Sequence, residues 1–412
     1  MNVKYEKAKE ILENYHQEQV LKFYEELTES EKENLLDQIL KIDFEQILEL
    51  YHQAQQQPEL QNNKIEPISY VDKQKLTEEE KEKYEKIGRE KIKAGKLAVA
   101  TMAGGQGTRL GHKGPKGSFY LFPNKSIFEI ICDTLKQAQK EYGITLNWYI
   151  MTSKENHKET IQFFEENQYF GYPKEKITFF TQGELPMISH EGKIILSSKS
   201  TIKEAADGNG GIFESMRKAG IIEELQKNGV EWLFIGSVDN VLLKMVDPLL
   251  IGLTETQQHL AASKTVAKKN PKEKVGVFCK MNSTPSVIEY SELPQDMAEL
   301  RDKKGELYYG ESHVMCNMFH IEMLKQISKT KLPYHVATKK AEYLDSEGKT
   351  IVPTEPNCYK FESFIFDAFK SIEEMTILRV KREEEFAPVK NAEGPDSPET
   401  ARELYKNFYH IK

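Results

Sequence analysis

Residues 96–117 read KLAVATMAGGQGTRLGHKGPKG. LAVATMA is a short apolar run with no helical period, the pattern of a strand buried on both faces. It passes directly into a turn in which five of the thirteen residues from Met102 to Gly114 are glycine. Clustered glycine marks backbone that bends sharply or approaches something closely. Arg109, Lys113 and Lys116 put three fixed cations beside it, which suggests an anion as the approaching group, a flexible loop being the alternative. A buried strand feeding such a turn opens an α/β unit, and in α/β sheets ligands collect at the C-terminal strand ends.

The rest of the chain repeats the theme. ITLNWYIMTS, KITFFTQ, WLFIGSVDN and VGVFCKMN read as further buried strands, and Ile127, Ile130, Ile131, Leu135 and Ala138 share one face of an amphipathic helix between the first two strands. Strands alternating with helices predict a mixed, mainly parallel sheet flanked by helices. Before Lys96 the chain is charged, helical in period and almost free of glycine. Tyr5, Ala8, Ile11, Leu12 and Tyr15 form one helical face, SEKE (30–33) and TEEE (77–80) match capping boxes, and EPISYV near Pro67 reads as a turn. The expected organisation is a helical domain over 1–95, an α/β domain over 96–392 and a helical tail over 393–412.

With 57 Lys and Arg against 65 Asp and Glu, the net charge of −8 argues against nucleic acid or an anionic membrane as partner, so any anion site is local. The N-terminal stretch has no apolar h-region and no run approaches the roughly 20 apolar residues of a membrane helix, which predicts a cytoplasmic protein. Cys132, Cys279, Cys316 and Cys358 form no CxxC pair and read as buried, reduced thiols. The spacing of His313, Cys316 and His320 matches no usual metal site.

Two familiar phosphate loops fail on spacing. No GxxxxGK[ST] occurs, and Gly105 and Gly107 are followed by three residues before Gly111, not the two of GxGxxG. What remains is a strand, GGQGTRLG, a basic turn GPKG, and a helix beginning near Ser126. Backbone N–H groups of such a turn form an anion nest, while Arg109 and Lys116 reach two separate phosphates. The arrangement suits a polyphosphate.

GGQGTRLG followed by PKG resembles the signature of the UDP-sugar pyrophosphorylases, uridylyltransferases that join UTP and a sugar 1-phosphate to give UDP-sugar and pyrophosphate. Family-like stretches follow in order from Lys96 to Arg402. The resemblance implies a Rossmann-like nucleotidyltransferase sheet, UTP and a sugar 1-phosphate as substrates, and Mg²⁺ as cofactor. It assigns Gly104, Gly105, Gly107 and Thr108 to UTP, and Arg109 and Lys116 to catalysis at the departing phosphates. Gln182 in TQGELP becomes the uracil reader, its amide offering both a donor and an acceptor. In ADGNGGIF, Gly208 admits the base and Asn209 bonds the sugar, although DGNGG is also ideal turn chemistry. Asp239 in GSVDNVL becomes the magnesium ligand; a lone aspartate there is otherwise a cap or turn former. Glu289, Tyr290, Asn317 and Phe319 fall where hexosamine contacts lie, the aromatics being otherwise ordinary core. Lys390 in EFAPVKNA is the catalytic cation at the α-phosphate, with Lys360 a second basic candidate.

DGNGG, CNMF and EFAPVKNA resemble the UDP-N-acetylglucosamine branch, which makes N-acetylglucosamine 1-phosphate the expected sugar, with N-acetylgalactosamine, glucose or galactose 1-phosphate as alternatives. SFYLFPNKSIF after PKG departs from that branch, and the chain ends at Lys412 where longer members carry a further domain. The attacking phosphate oxygen is already ionised near neutral pH, its second pKa being about 6, so no general base is expected. A non-catalytic nucleotide-sugar sensor is the rival reading. It has no use for cations aimed at pyrophosphate. Oligomeric state has no signature in the sequence.

Overall fold

A computed structural model describes residues 3–56 and 63–411. The chain divides into two compact units: Met1–Asn62 with Gly183–Gly211 and Leu332–Phe364, and Asn63–Gln182 with Ile212–Lys331 and Ile365–Lys412. The units therefore do not follow the sequential boundaries at 95 and 392, because each is assembled from three separate segments.

The second unit is built on an eleven-stranded sheet. Its strands are β1 (Ile65–Pro67), β2 (Val71–Asp72), β3 (Leu97–Met102), β4 (Trp148–Thr152), β5 (Ile177–Thr181), β6 (Trp232–Ser237), β7 (Ala261–Ala267), β8 (Val277–Met281), β9 (Thr284–Ile288), β10 (Glu311–His320) and β11 (Thr376–Arg379). The main path runs β2-β11-β7-β10-β6-β3-β4-β5. Every neighbouring pair on it is parallel except the two made by β10. β8 branches off, antiparallel to β1, β9 and β10. All six residues of β3 and all five of β4 are buried, as continuous apolar runs require in a sheet covered on both faces. The register sets Met102 beside both Ser237 and Met151, and Thr152 beside Thr181. The loops after β3, β4, β5 and β6 thus leave the sheet along one edge.

The helix Ile127–Tyr142 starts on Ser126, whose hydroxyl accepts the Glu129 N–H at 3.2 Å, and ends on Gly143 in the left-handed region. Its predicted apolar face packs in one core with Val99, Trp148, Ile150 and Phe164. Each such side chain contributes about 1.5–3 kcal/mol by leaving water. The tail helix Pro398–Tyr409 joins that core through Ala401 and Tyr405, and Arg402 donates to the Leu121 carbonyl at 2.5 Å.

In the first unit, helices Val3–Asn14, Glu29–Lys41 and Phe44–Ala54 pack Ala8, Leu12, Leu35 and Ile39 against Ile194, Leu196 and Ile202. A three-stranded antiparallel sheet, Ile188–Ser189 with Cys358–Ser363 and Tyr334–Lys339, lies in the same unit.

Two local expectations need correction. The first capping box is Thr28 with Glu31, two residues before SEKE, because Thr28 supplies the extended N-cap backbone. The TEEE box stands as read. EPISYV is more than a turn: it carries β1 and leads into β2, and Arg379 stacks on the Tyr70 ring at 4.0 Å while bonding Glu311. Short strands with few apolar residues leave no periodic signal.

The helix Glu78–Lys93 crosses Pro248–Gln257 backbone to backbone. A Cβ at Gly88 would lie 1.9 Å from the Pro248 carbonyl oxygen, and one at Gly252 would lie 1.8 Å from that of Tyr84. Backbone cannot yield as a side-chain tip can. Gly88→Ala and Gly252→Ala are each expected to cost about 1–3 kcal/mol of unfolding free energy, measured by denaturant titration; unchanged midpoints would mean that the helices can separate freely.

Candidate active site

The glycine loop is closed by its own backbone. Gly107 N–H donates to the Gly114 carbonyl at 2.9 Å and Lys116 N–H to that of Gly105 at 3.0 Å, with Gln106 bridged to Pro115. Segments 105–107 and 114–116 therefore run as a miniature hairpin whose tip is the 3₁₀ turn Thr108–Leu110. Gly111 and Gly114, at φ 68° and 124°, supply the left-handed positions that let the tip return. Beneath it, Asn156 donates to the carbonyls of Ala103 at 3.0 Å and Gly105 at 3.4 Å. His112 lies 2.8 Å from the Ser118 hydroxyl. Gly105, Thr108 and Arg109 are exposed on this frame.

Two more chain segments meet the loop. After β5, Gln182 is held by its N–H on the Thr152 carbonyl at 2.8 Å. Its side-chain oxygen lies where a Cβ on Gly104 would stand 2.3 Å away, so only glycine at 104 leaves the amide in place. After β6, Asp239 faces Lys116, with Nζ 3.6 Å from Oδ2, and accepts a hydrogen bond from Ser237. The Asp239 carbonyl accepts the Val389 N–H at 2.8 Å, which brings EFAPVK alongside. Lys390 follows, anchored by its N–H to the Asp396 carbonyl at 2.6 Å and with Nζ 5.7 Å from the Phe386 ring centre.

The hexosamine candidates separate by environment. Glu289 and Tyr290 follow β9, and Tyr290 is half-exposed. Asn317 on β10 is buried; its Oδ1 accepts the Ser263 hydroxyl at 2.9 Å and lies 3.0 Å from His313 Nε2. Among the described residues its Nδ2 has no partner. Phe319 is wholly buried, stacked on Phe369 and edge-on to Phe213, so it packs and presents no surface. Of the three residues weighed as metal ligands, His313 serves Asn317, His320 caps a helix and Cys316 is a buried thiol pushed up to about 12 by burial.

Gly208 and Asn209 belong to the first unit. Gly208 has φ 92°, and its missing Cβ makes room for the Ser363 carbonyl 2.2 Å away, a packing demand that stands whatever it binds. Asn209 opens the turn Asn209–Gly211. Lys360 is paired with Glu362 at 2.6 Å.

Comparison with known proteins identifies the family. The family described as UTP–glucose-1-phosphate uridylyltransferase matches residues 41–395. The chain belongs to this family, the UDP-sugar pyrophosphorylases. It is similar to the UDP-N-acetylglucosamine pyrophosphorylase of Saccharomyces cerevisiae, 38% identical over 83% of this chain and 74% of that one. It is 36% identical to UDP-N-acetylglucosamine diphosphorylase 2 of Arabidopsis thaliana over 96% of this chain and 82% of the relative. A crystal structure of the Trypanosoma brucei UDP-N-acetylglucosamine pyrophosphorylase, 29% identical, superposes with a TM-score of 0.82 over 98% of this chain and 84% of that one. The protein is a nucleotidyltransferase: a uridylyltransferase that forms a UDP-sugar and pyrophosphate from UTP and a sugar 1-phosphate.

The uridylyltransferase holds Asp239 ionised. Burial raises the affinity of its carboxyl for a proton, but the Lys116 ammonium, then that of Lys390, and the Ser237 hydrogen bond outweigh it and leave the pKa below the ordinary 3.8. The ion pairing therefore stabilises the fold fully above that pH and is lost as the pH falls through the lowered value. Lys116→Met removes the larger of the two lysine effects. The Asp239 carboxyl is then expected to titrate at higher pH, read by carboxyl-carbon NMR; an unmoved titration would mean that Lys390 and Ser237 suffice.

Proposed function

We propose that the uridylyltransferase acts on N-acetylglucosamine 1-phosphate with Mg²⁺, and that Arg109, Lys116, Asp239 and Lys390 carry the chemistry. The observation that carries this reading is the convergence of Lys116 and Lys390 on Asp239 at the strand ends beside the closed glycine loop. Two cations around one carboxylate form a site for phosphate charge and a divalent ion together. A sensor of nucleotide sugars has no need of it.

The sugar phosphate oxygen attacks the α-phosphorus of UTP in line, and the bond from that phosphorus to the bridging oxygen of pyrophosphate breaks. Both partners are anions, so the barrier lies in bringing them together and in spreading charge, which positioning and fixed cations lower. Backbone at Gly104, Gly105, Gly107 and Thr108, with Arg109 and Lys116, holds the β and γ phosphates. Lys390 meets the charge at the α-phosphate. Gln182 reads uracil through its amide beside Gly104. Mg²⁺ takes one or two carboxylates and completes its shell with substrate phosphates and water; the ionised Asp239 at a strand end fits that demand, and the ion would supply charge neutralisation there. On the sugar side the candidates on β10 are Asn317, whose buried Nδ2 has no partner among the described residues, and Phe319. Glu289 and Tyr290 are their companions. The roles of Gly208 and Asn209 rest on the resemblance alone. The sugar assignment is supported by relatives whose names specify UDP-N-acetylglucosamine.

Purified protein with UTP, Mg²⁺ and a panel of sugar 1-phosphates is expected to release pyrophosphate fastest with N-acetylglucosamine 1-phosphate. Faster release with glucose or N-acetylgalactosamine 1-phosphate would overturn the sugar assignment. Arg109→Ala and Lys116→Ala are expected to fold normally and lose about 3 kcal/mol of transition-state stabilisation, by analogy with loss of an oxyanion-hole donor. Asp239→Asn is expected to need more Mg²⁺ for half-maximal rate, and an unchanged Mg²⁺ titration would remove Asp239 from the metal role.

A further inference from the structure

The residue after Asp239 is unlike its neighbours. Asn240 is 2% exposed and every polar atom of its side chain bonds to backbone. Its Oδ1 accepts the N–H groups of Ala387 at 2.9 Å and Leu242 at 3.2 Å, and its Nδ2 donates to the Glu385 carbonyl at 2.8 Å. Two backbone donors on one side and a carbonyl on the other fix the amide's orientation without ambiguity. Asn240 is also bridged to Pro388, and Val241 N–H reaches the Ala387 carbonyl at 3.1 Å. One side chain thus sets the register between the strand end carrying Asp239 and the segment carrying Lys390, which are otherwise 151 positions apart in sequence, from 239 to 390.

The segment is pinned from below as well. The Glu385 carboxylate receives the Lys264 ammonium at 2.5 Å, and Lys264 also bonds Asp247 at 2.6 Å. Lys264 is 1% exposed and Glu385 3%. Lys73 approaches the other Glu385 oxygen at 3.2 Å. A buried ion pair contributes little net stability, but losing one partner strands the other charge. Such a pair therefore fixes a place.

We propose that Asn240 and the Lys264–Glu385 pair are positioning residues of the transferase reaction, setting Asp239 and Lys390 at the separation that the transition state requires. All three are buried, so they act through Asp239 and Lys390. The proposal rests on the reading of Asp239 and Lys390 as reacting-site groups. Displacing a reacting group by about 1 Å costs up to roughly a hundredfold in rate, so the loss falls on kcat.

The test compares Asn240→Ala, Glu385→Ala and Glu385→Gln with wild type and with Lys390→Ala. Read-outs are kcat and KM for UTP, the Mg²⁺ concentration for half-maximal rate, and calorimetric binding of UDP-N-acetylglucosamine without Mg²⁺. Asn240→Ala and Glu385→Ala are expected to lower kcat by about ten- to a hundredfold and raise the Mg²⁺ requirement, with Mg²⁺-free product binding retained. Glu385→Gln, which still accepts from Lys264, is expected to recover most of the rate. Wild-type kcat and Mg²⁺ dependence in either alanine variant, or product binding lost in parallel with rate, would overturn the proposal. Where Asn240→Ala does not fold, the Glu385 pair decides: equal rates in Glu385→Ala and Glu385→Gln overturn it. Full activity in Lys390→Ala would instead sink the site assignment itself.

Discussion

The Lys264 ammonium lies inside the second unit with a carboxylate on either side. It projects from β7, while Asp247 begins the helix Pro248–Gln257 by accepting the Leu249 and Leu250 N–H groups, and Glu385 begins the segment that returns beside Asp239. A strand, a helix start and the end of the short helix Arg382–Glu385, from three parts of the sequence, are thus bound to one point. A buried charge is costly unless it is paired, and with a carboxylate on either side the Lys264 ammonium ties the places of all three groups together. Burial opposes the charged form of all three, and the mutual attraction within the cluster nevertheless keeps Lys264 protonated and both acids ionised.

From that anchor the chemistry follows by geometry. Parallel strands in register release their loops along one edge, and the edge gathers the glycine loop, Gln182, Asp239 and Lys390. In the proposed reaction the substrate nucleophile needs no proton removed, and the ionisable groups serve charge. The histidines near the site have other partners: His112 meets the Ser118 hydroxyl and His313 meets Asn317. Burial pushes His313 down to about 4 despite the Asn317 bond, which favours the neutral ring.

Much of this was legible in the sequence, and the reason is physical. Short continuous apolar runs such as LAVATM and WLFIGS fit strands buried on both faces, and a glycine turn after one of them with cations attached points to an anion. The five strands read from the sequence all occur, and so does the amphipathic helix. What escaped had no local signature. β1 and β2 are too short to show a period, and the first compact unit is assembled from segments that periodicity cannot join. Phe319 could be read from the sequence either as a pocket wall or as core, because an aromatic looks alike in both; in the fold it packs on Phe213 and Phe369. Lys264 did leave a trace, a lysine inside the apolar run AASKTVA, where a buried charge demands a partner. Its partners, 17 residues before it and 121 after, could not be read from one strand.

The closure of 105–116 bears on the timing of the reaction. The bonds that shape the loop are its own, from Gly107 to Gly114, from Lys116 to Gly105 and from Asn156 to the turn's base. In the proposed role, a loop already folded carries little ordering cost when phosphates arrive. It would equally have little to unfold when pyrophosphate departs. Forward synthesis and the reverse attack of pyrophosphate on a UDP-sugar would then meet the same pre-shaped cradle, with the direction of flux left to the concentrations of the four reactants.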